Sequence, residues 1–373
     1  MAVSKKILYI INHVDWFWSH RLPLAAAARK DGWDVHIAVP GGPRDARFKD
    51  YDFQVHDLEG RAFAMMGSIR SVVRAVKPDL VHAITIKMAF LTGLAAGRRT
   101  HRIFTIAGLG FLFSSSGIKP RLLRAVVKPF LKQALQGAAI IVQNPDDART
   151  LVQAGLITDQ DVRLIRGSGV DIKRFAPIKD LEASPPVVLM PTRLIREKGV
   201  AIFAQAAQIL KASFKSKGLD VRCVIAGGLD DTNPHAITAR DMQGLTADGA
   251  LEWAGKIDDM ARALNECALV AYPSWYGEGI PKVLLEAAAC GKAIITTDHT
   301  GCREVVEHGV NGYLVPVQDA QALADAIEVI LSNPDLRDGM GRKSRARAER
   351  EFNVDLIVRQ TLDFCEEQLS RTN

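Results

Sequence analysis

The sequence of 373 residues holds five cysteines, Cys223, Cys267, Cys290, Cys302 and Cys365, and none forms a C-x-x-C pair. An odd count without paired spacing argues against a disulfide framework or a zinc site and fits reduced thiols in a cytosolic protein. No apolar run approaches the roughly 18 residues of a membrane span. The opening Lys5-Lys6 and the apolar run 7–11 mimic a signal peptide only faintly. Asn12, His13 and Asp15 cut that run short, so it reads as a first buried strand. No G-x-G-x-x-G follows it, which disfavours a nicotinamide dehydrogenase. There is no low-complexity tract and no convincing internal repeat; 48% hydrophobic and 24% charged residues exclude a disordered chain. The most pointed absence is acidic. Between Asp79 and Asp146 there is no Asp or Glu, while Lys87, Arg98, Arg99, Arg102, Lys119, Arg121, Arg124, Lys128 and Lys132 all fall there, nine cations against a net charge of +6.

What is present is a rhythm. Strand-length apolar runs at 7–11, 35–39, 53–58, 80–84, 103–106, 139–142 and 162–165 alternate with amphipathic stretches at 22–30, 69–77, 89–98 and 121–136. Strand, helix, strand repetition implies a parallel sheet covered on both faces. The polar, proline-rich stretch 176–186 breaks the rhythm and reads as a linker. Runs at 187–190, 221–226, 251–254, 269–272, 293–296 and 312–315 then restart it, and helical segments near 320–331, 336–351 and 354–369 close the chain. The expected fold is α/β, with two doubly wound, Rossmann-like parallel-sheet domains facing a central cleft, where such sheets bind ligands. The expected domains are residues 1–176 and 187–352, with 353–373 a helix that crosses back onto the first domain. Fold alone chooses no reaction.

The sharpest motif runs from Tyr272 to Ala287: a strand end, a glycine-bearing turn (Gly277-Glu278-Gly279-Ile280) and a helix start. Pro281 suits the first helical turn, leaving the amides of Lys282, Val283 and Leu284 to form an anion site fit for a diphosphate. Glu278 and Glu286 bracket that site and could accept hydrogen bonds from sugar hydroxyls. The plainer reading is a capping Glu278 and a solvated Glu286, and spacing alone does not separate the two. After the first strand of the second half, Arg193 and Lys198 stand at the carboxyl edge of the sheet, where fixed cations can neutralise a leaving diphosphate. The alternative is that Arg196 and Lys198 are ordinary helix-start cations, although cations are disfavoured at that end of the dipole.

Arg193 with Lys198-Gly199, then Glu278 and Glu286 seven residues apart, resembles the retaining glycosyltransferase family 4 of the GT-B fold. Gly167-Ser168-Gly169-Val170-Asp171, Trp253-Ala254-Gly255, Gly301-Cys302-Arg303-Glu304-Val305 and Asn311-Gly312-Tyr313 agree with that pattern. Within the family the chain is most similar to capsule-type enzymes and to N-acetylgalactosaminyltransferases of bacterial lipid-linked glycan assembly. The pieces that carry this are Ala107-Gly108-Leu109-Gly110-Phe111, Gln143-Asn144, the segment from Gly227-Gly228 to Asn233-Pro234, and Cys290-Gly291-Lys292. The resemblance implies that Arg193, Lys198 and Glu278 are catalytic, Glu278 by holding the transferred sugar. It implies donor binding by Glu286 at the ribose, by Gly279, Ile280, Lys282, Val283 and Leu284 at the phosphates, and by Gly227, Gly255, Lys256 and Ile257, the last three flanking the base, usually uracil. It implies a UDP-sugar as co-substrate, no cofactor and no metal. Asp50-Tyr51-Asp52 and Asp159-Gln160-Asp161, the two Asp-x-Asp triplets, read as surface loops. Two departures stand out. His13–Arg21 replaces a common Gly-Gly turn, and Ala107 replaces a common His. Asp15, His20 and Asn144 are candidates for the acceptor side.

The expected activity is a hexosyl- or N-acetylhexosaminyltransferase that moves a sugar, such as GalNAc from UDP-GalNAc, to a polyprenyl-diphosphate-linked saccharide. The alternatives are a soluble small-molecule acceptor or a catalytically silent UDP-binding scaffold. Arg124, Lys128 and Lys132 recur at i, i+4 and i+8, beside Arg121 and broad apolar coverage. That stripe suggests a helix on an anionic membrane surface, with the protein cytoplasmic and peripheral on the inner face of the plasma membrane. The rival is a core-packed helix with a solvated basic face. Nucleic acid is disfavoured because no recognition motif is present.

Overall fold

Short apolar runs bounded by polar turns become the strands of two sheets. The computed structural model describes residues 4–60, 63–97, 100–109, 118–230 and 233–371, with the side chains of 63 and 118–126 outside that description. The chain divides into two compact units. The first comprises Met1–Gly169, Gly277–Gly279 and Val354–Asn373; the second comprises Val170–Tyr276 and Ile280–Asn353.

The first unit holds a seven-stranded, all-parallel sheet: β1 (Lys6–Ile10), β2 (Asp34–Val39), β3 (Gln54–Asp57), β4 (Leu80–Ile84), β5 (His101–Ile106), β6 (Ala139–Val142) and β7 (Val162–Leu164), in the order β3-β2-β1-β4-β5-β6-β7. Helices α1 (Leu22–Lys30), α2 (Phe63–Val76), α3 (Ile86–Ala95), α4 (Ile118–Leu135) and α5 (Pro145–Gln153) connect them. Successive residues of a strand point to opposite faces, so Leu8 and Ile10 join the core with Ile69, Met88 and Leu131, while Ile7 and Tyr9 join the core with Leu24, Trp33, Ile357 and Phe364.

The second unit holds β8 (Val187–Pro191), β9 (Arg222–Ala226), β10 (Leu251–Trp253), β11 (Leu269–Tyr272), β12 (Ala293–Thr297) and β13 (Gly312–Val315), parallel in the order β10-β9-β8-β11-β12-β13. Around it lie α6 (Val200–Ser216), α7 (Ala239–Thr246), α8 (Met260–Glu266), α9 (Lys282–Ala289), α10 (Ala320–Leu331) and α11 (Pro334–Arg347). Helix α12 (Val354–Ser370) belongs to the first unit. Its Ile357, Leu362, Phe364 and Cys365 are buried in that core, and Arg163 reaches Glu367 at 2.6 Å while Arg359 reaches Asp31 at 3.1 Å.

The stretch 176–186, read from the sequence as a linker, is pinned to the second unit. The Ile178 amide donates to Asn265 Oδ1 at 2.7 Å and the Ala183 amide to the Glu266 carbonyl at 2.9 Å. The division instead falls at Gly169/Val170, where the Val170 amide donates to the Phe352 carbonyl at 2.8 Å. Prolines end the secondary structure there, but side-chain caps and carbonyls still take up the backbone groups.

Candidate active site

In the second sheet the strand order reverses between β8 and β11, and ligands of open α/β sheets bind outside the carboxyl ends at such a point. The loop that leaves β8 carries Arg193 and Lys198, and the loop that leaves β11 leads to α9. The two loops are tied together. The Glu197 carbonyl accepts from the Trp275 amide at 2.9 Å and from Ser274 Oγ at 3.3 Å. Gly199 has φ +86°, and a Cβ there would lie 2.2 Å from the Pro273 carbonyl oxygen, so only glycine lets the two loops approach so closely.

That approach buries Lys198, which is 3% exposed. Its Nζ donates to Tyr272 Oη at 2.6 Å and lies 5.1 Å from the ring centres of both Tyr272 and Tyr276. Arg193 is more open, 47% exposed at its side chain, with Nη1 3.8 Å from Asp230 Oδ2. Glu197, between them in sequence, contacts His235 through its carboxylate.

Behind Arg193 the exits of β9 and β10 meet. The Gly227 amide donates to the Gly255 carbonyl at 2.7 Å, and Trp253 Nε1 donates to the Gly227 carbonyl at 2.9 Å. A Cβ on Gly227 would sit 1.8 Å from the Thr192 carbonyl oxygen. Gly255 takes φ +68°, Lys256 is exposed, and Ile257 is half-buried against the α9 side of the core.

Helix α9 begins at Lys282, and Pro281 is its N-cap, one position earlier than expected. The Leu284 amide donates to the Pro281 carbonyl at 3.1 Å, so it is not open for phosphate as the sequence suggested; a proline at the cap tightens the first turn. Glu286 is 12% exposed at its side chain, 3.9 Å from Lys282 Nζ. Burial pushes the Glu286 carboxyl up, while Lys282 and Arg174 pull it back. Burial also pulls Lys282 down, with Glu286 opposing. The solvated Glu286 of the plainer reading is therefore not what the fold contains.

Glu278 is half-buried and is grouped, with Gly277 and Gly279, in the first unit. There Gly108, at φ +98°, has room only for hydrogen, because a Cβ would lie 2.7 Å from the Glu278 backbone; a Cβ on Gly279 would likewise lie 1.9 Å from Gln143 Oε1. Among the acceptor-side candidates, Asp15 is exposed and paired with Arg47 at 2.9 Å, and His20 Nδ1 is 2.6 Å from Ser19 Oγ. Asn144 is fully buried as the N-cap of α5: its Oδ1 accepts from the Asp147 amide at 2.7 Å and its Nδ2 donates to Asp147 Oδ2 at 2.9 Å. Lys128 and Lys132 are exposed on α4 beside Phe130, 54% exposed. The side chains of Arg121 and Arg124 lie outside the described residues, and so do Gly110 and Phe111 altogether. One carboxylate of each Asp-x-Asp triplet is engaged at the surface, Asp52 with Arg29 and Asp161 with Thr158 Oγ1 at 2.7 Å.

The sequence did not single out Asp230 as the partner of Arg193, or the two tyrosines around Lys198. The available signal for the latter was Tyr272 and Tyr276 flanking the Pro273-Ser274 turn.

Residues 171–347 match the family described as glycosyl transferases group 1, and residues 6–144 match glycosyl transferase 4-like. The chain is 27% identical, over 92% of its length and 93% of the relative's, to the N,N'-diacetylbacillosaminyl-diphospho-undecaprenol alpha-1,3-N-acetylgalactosaminyltransferase of Campylobacter jejuni. It is 25% identical to the capsular polysaccharide biosynthesis glycosyltransferase CapM of Staphylococcus aureus, over 88% of each. In structure it resembles a sucrose-phosphate synthase from Thermosynechococcus elongatus, at TM-score 0.82 and 22% identity over 98% of this chain and 100% of that one. It also resembles HepE of Anabaena, solved in complex with UDP and glucose, at TM-score 0.77 and 21% identity over 97% and 100%. At these identities the structural likeness is one of fold, and the fold is GT-B. The two matched families and the doubly wound sheet of each unit agree: the chain belongs to the group 1 glycosyltransferases of the GT-B fold, of the family 4 type.

Proposed function

We propose that this glycosyltransferase moves a hexosyl or N-acetylhexosaminyl unit, such as GalNAc, from a UDP-sugar to a polyprenyl-diphosphate-linked saccharide, with retention of anomeric configuration and without a metal. The observation that carries the reading is Lys198: a buried ammonium held over two tyrosine rings at the switch point of the second sheet. When the bond from the sugar to UDP breaks, negative charge grows on the departing diphosphate. A cation already fixed in a low-dielectric setting stabilises that charge without reorganising. Arg193 supplies a second, more exposed cation, and Lys198 and Arg193 together take the part a metal plays elsewhere.

Glu286, held up by burial beside Lys282, suits the hydroxyls of a ribose, and Glu278 those of the transferred sugar. The acceptor class is supported by the name of the Campylobacter relative, and the UDP donor by the ligands of HepE. Membrane attachment on the cytoplasmic side through α4 is supported by exposed Lys128, Lys132 and Phe130. No helix among the described residues is long and apolar enough to cross a membrane.

The test is mass-spectrometric product analysis with a panel of UDP-sugars and polyprenyl-diphosphate-linked saccharides. The expected result is one retained-configuration product that Lys198→Ala and Glu278→Ala abolish. Absence of transfer or hydrolysis of every UDP-sugar, with donor binding unaltered in Glu278→Ala, would overturn the reading. A UDP-induced thermal shift without any transfer would mark a silent scaffold instead, and transfer to soluble saccharides alone would overturn the lipid-linked acceptor.

A further inference from the structure

The first sheet has its own switch point, between β1 and β4, and a polar cluster lies there that the proposed chemistry leaves unused. Tyr9 and His82 are register partners on those two strands, with ring centres 5.5 Å apart at 43°. His82 is the one polar side chain of β4, and Tyr9 stands among Ile7, Leu8 and Ile10 in β1. Arg21 ends the π-helical turn Phe17–Arg21 that leads from β1 into α1, and it is 7% exposed.

The electrostatics of the cluster are one-sided. Burial pulls the Arg21 guanidinium down to about 10, which leaves it charged at neutral pH. Burial, and then Arg21 itself, pull His82 down to about 3, so the imidazole is neutral. Burial pushes the neighbouring Tyr9 phenol and Cys365 thiol upward, so neither supplies an anion. Among the described residues no carboxylate pairs with Arg21. Its Nε, Tyr9 Oη and His82 Nδ1 are all inaccessible and without a hydrogen-bond partner, and so is Asn12 Oδ1 in the turn beyond β1. His82 Nε2 is taken, 2.7 Å from Thr105 Oγ1. Folded proteins pair their buried charges and satisfy their buried polar atoms. Three orphan atoms in one place, one of them on a guanidinium without a counter-charge among the described residues, are a cost with no structural return.

A second observation marks the same place. Thr85, the residue that leaves β4, has φ +87°, a conformation hostile to a β-branched side chain, and it is held there by its amide donating to the Thr105 carbonyl at 2.9 Å. Strain of this kind collects at ligand sites.

We infer that Arg21, Tyr9 and His82 form an anion site at the switch point of the first unit, and that its ligand is the diphosphate of the lipid-linked acceptor. The choice of ligand rests on the proposed function; the anion site does not. A guanidinium offers a planar set of donors matched to phosphate oxygens. The Tyr9 hydroxyl has its proton to donate, and His82 donates from Nδ1 when Nε2 accepts from Thr105.

The experiment is a thermal shift on the full chain saturated with UDP, so that the donor's own phosphate positions are filled, with inorganic diphosphate titrated in. Diphosphate is expected to add a concentration-dependent rise in Tm. Arg21→Met should abolish that rise while melting higher than the wild type without ligand, since an unpaired buried charge gives way to an apolar side chain of similar length. Tyr9→Phe, which keeps the ring, should weaken the rise and carries the test should Arg21→Met not fold. In the transfer assay, Arg21→Met should raise the KM for the lipid-linked acceptor roughly 10- to 100-fold, the loss of a charge-assisted hydrogen bond, with the donor KM unchanged.

No diphosphate shift in the UDP-bound wild type, or the same shift in Arg21→Met and in Tyr9→Phe, would overturn the site. A diphosphate shift lost in Arg21→Met beside an unchanged acceptor KM would assign the site to free phosphate compounds and overturn the acceptor assignment. Because the diphosphate arm needs no turnover, it reads out even if the chain transfers nothing, which separates failure of the site from failure of the proposed function.

Discussion

Lys198 Nζ lies 2.6 Å from Tyr272 Oη and 5.1 Å from the centre of the same ring. The strand that supplies the tyrosine and the turn that supplies the lysine are 74 residues apart in sequence, and Gly199 lets them meet. Lys198→Ala is expected to lower kcat by about 10²–10³, the loss seen when one preorganised donor to a developing charge is removed. Tyr272→Phe keeps the ring and loses only the hydrogen bond, so it should cost about tenfold or less. Steady-state kinetics beside thermal melts separates these losses from unfolding; equal losses in the two variants would contradict the assignment.

Glu286 ties stability to donor binding. Its carboxyl is raised by burial, so the folded state holds a proton that the unfolded state has already released, and stability contributed by this group falls as pH rises from the ordinary glutamate value through the raised one. Glu286→Gln should therefore raise Tm at pH 8 while weakening UDP binding about tenfold. In the wild type, UDP affinity should fall on acidification as the carboxylate protonates. Isothermal titration across pH checks both signs.

Gly227→Ala tests the floor of the site. The added methyl would lie 1.8 Å from the Thr192 carbonyl oxygen and 3.0 Å from its carbon, backbone that cannot swing aside as a side chain could. The exits of β8 and β9 must part, which carries Arg193 away from Asp230. The expected outcome is a destabilisation of about 1–3 kcal/mol with UDP binding lost, measured by denaturation and titration.

Asp147 makes a pH prediction in the first unit. Burial pushes its carboxyl up to about 7; the hydrogen bond from Asn144 opposes this and Asp146 adds to it. The folded state thus binds a proton between about pH 4 and 7 that the unfolded state lacks, and stability from this group is lost as pH rises through that window. Asp147→Asn should match the wild type near pH 4 and melt higher at pH 8, a gap that differential scanning fluorimetry across pH would follow.

Lys128 and Lys132 give the membrane expectation its test. Replacing both with Glu should release the protein from liposomes that contain anionic lipid, each charge being worth about 1 kcal/mol at such a surface. Cosedimentation that does not change would remove α4 from the account, and binding that vanishes at high salt would support it.

Much of the fold was legible because parallel strands buried on both faces are written as short continuous apolar runs. Expected strands at 80–84, 139–142, 269–272 and 312–315 coincide with β4, β6, β11 and β13, and the others differ by a residue or two at their ends. Helix starts were less legible. Helix α3 begins at Ile86 rather than 89 because Thr85, in a strained conformation that no pattern announces, caps it. The proline-rich stretch misled because composition reports the lack of regular structure, not the Asn265 side chain that fastens it.

The sequence by itself determined the alternation of strands and helices, the two-sheet organisation and the family, because hydrophobic period and glycine spacing are local properties of the chain. It also placed Arg193, Lys198 and Glu278 at turns that follow strands, and Glu286 in the helix that one of those turns starts. Only the tertiary structure decided what surrounds the polar side chains: Lys198 closed in by two tyrosines, Glu286 buried beside Lys282, Asn144 spent on a helix cap, and Arg21 buried with no counter-charge among the described residues. Burial and pairing arise between segments that are distant in sequence, and the free energy of a charge is set by those neighbours rather than by its own position in the chain.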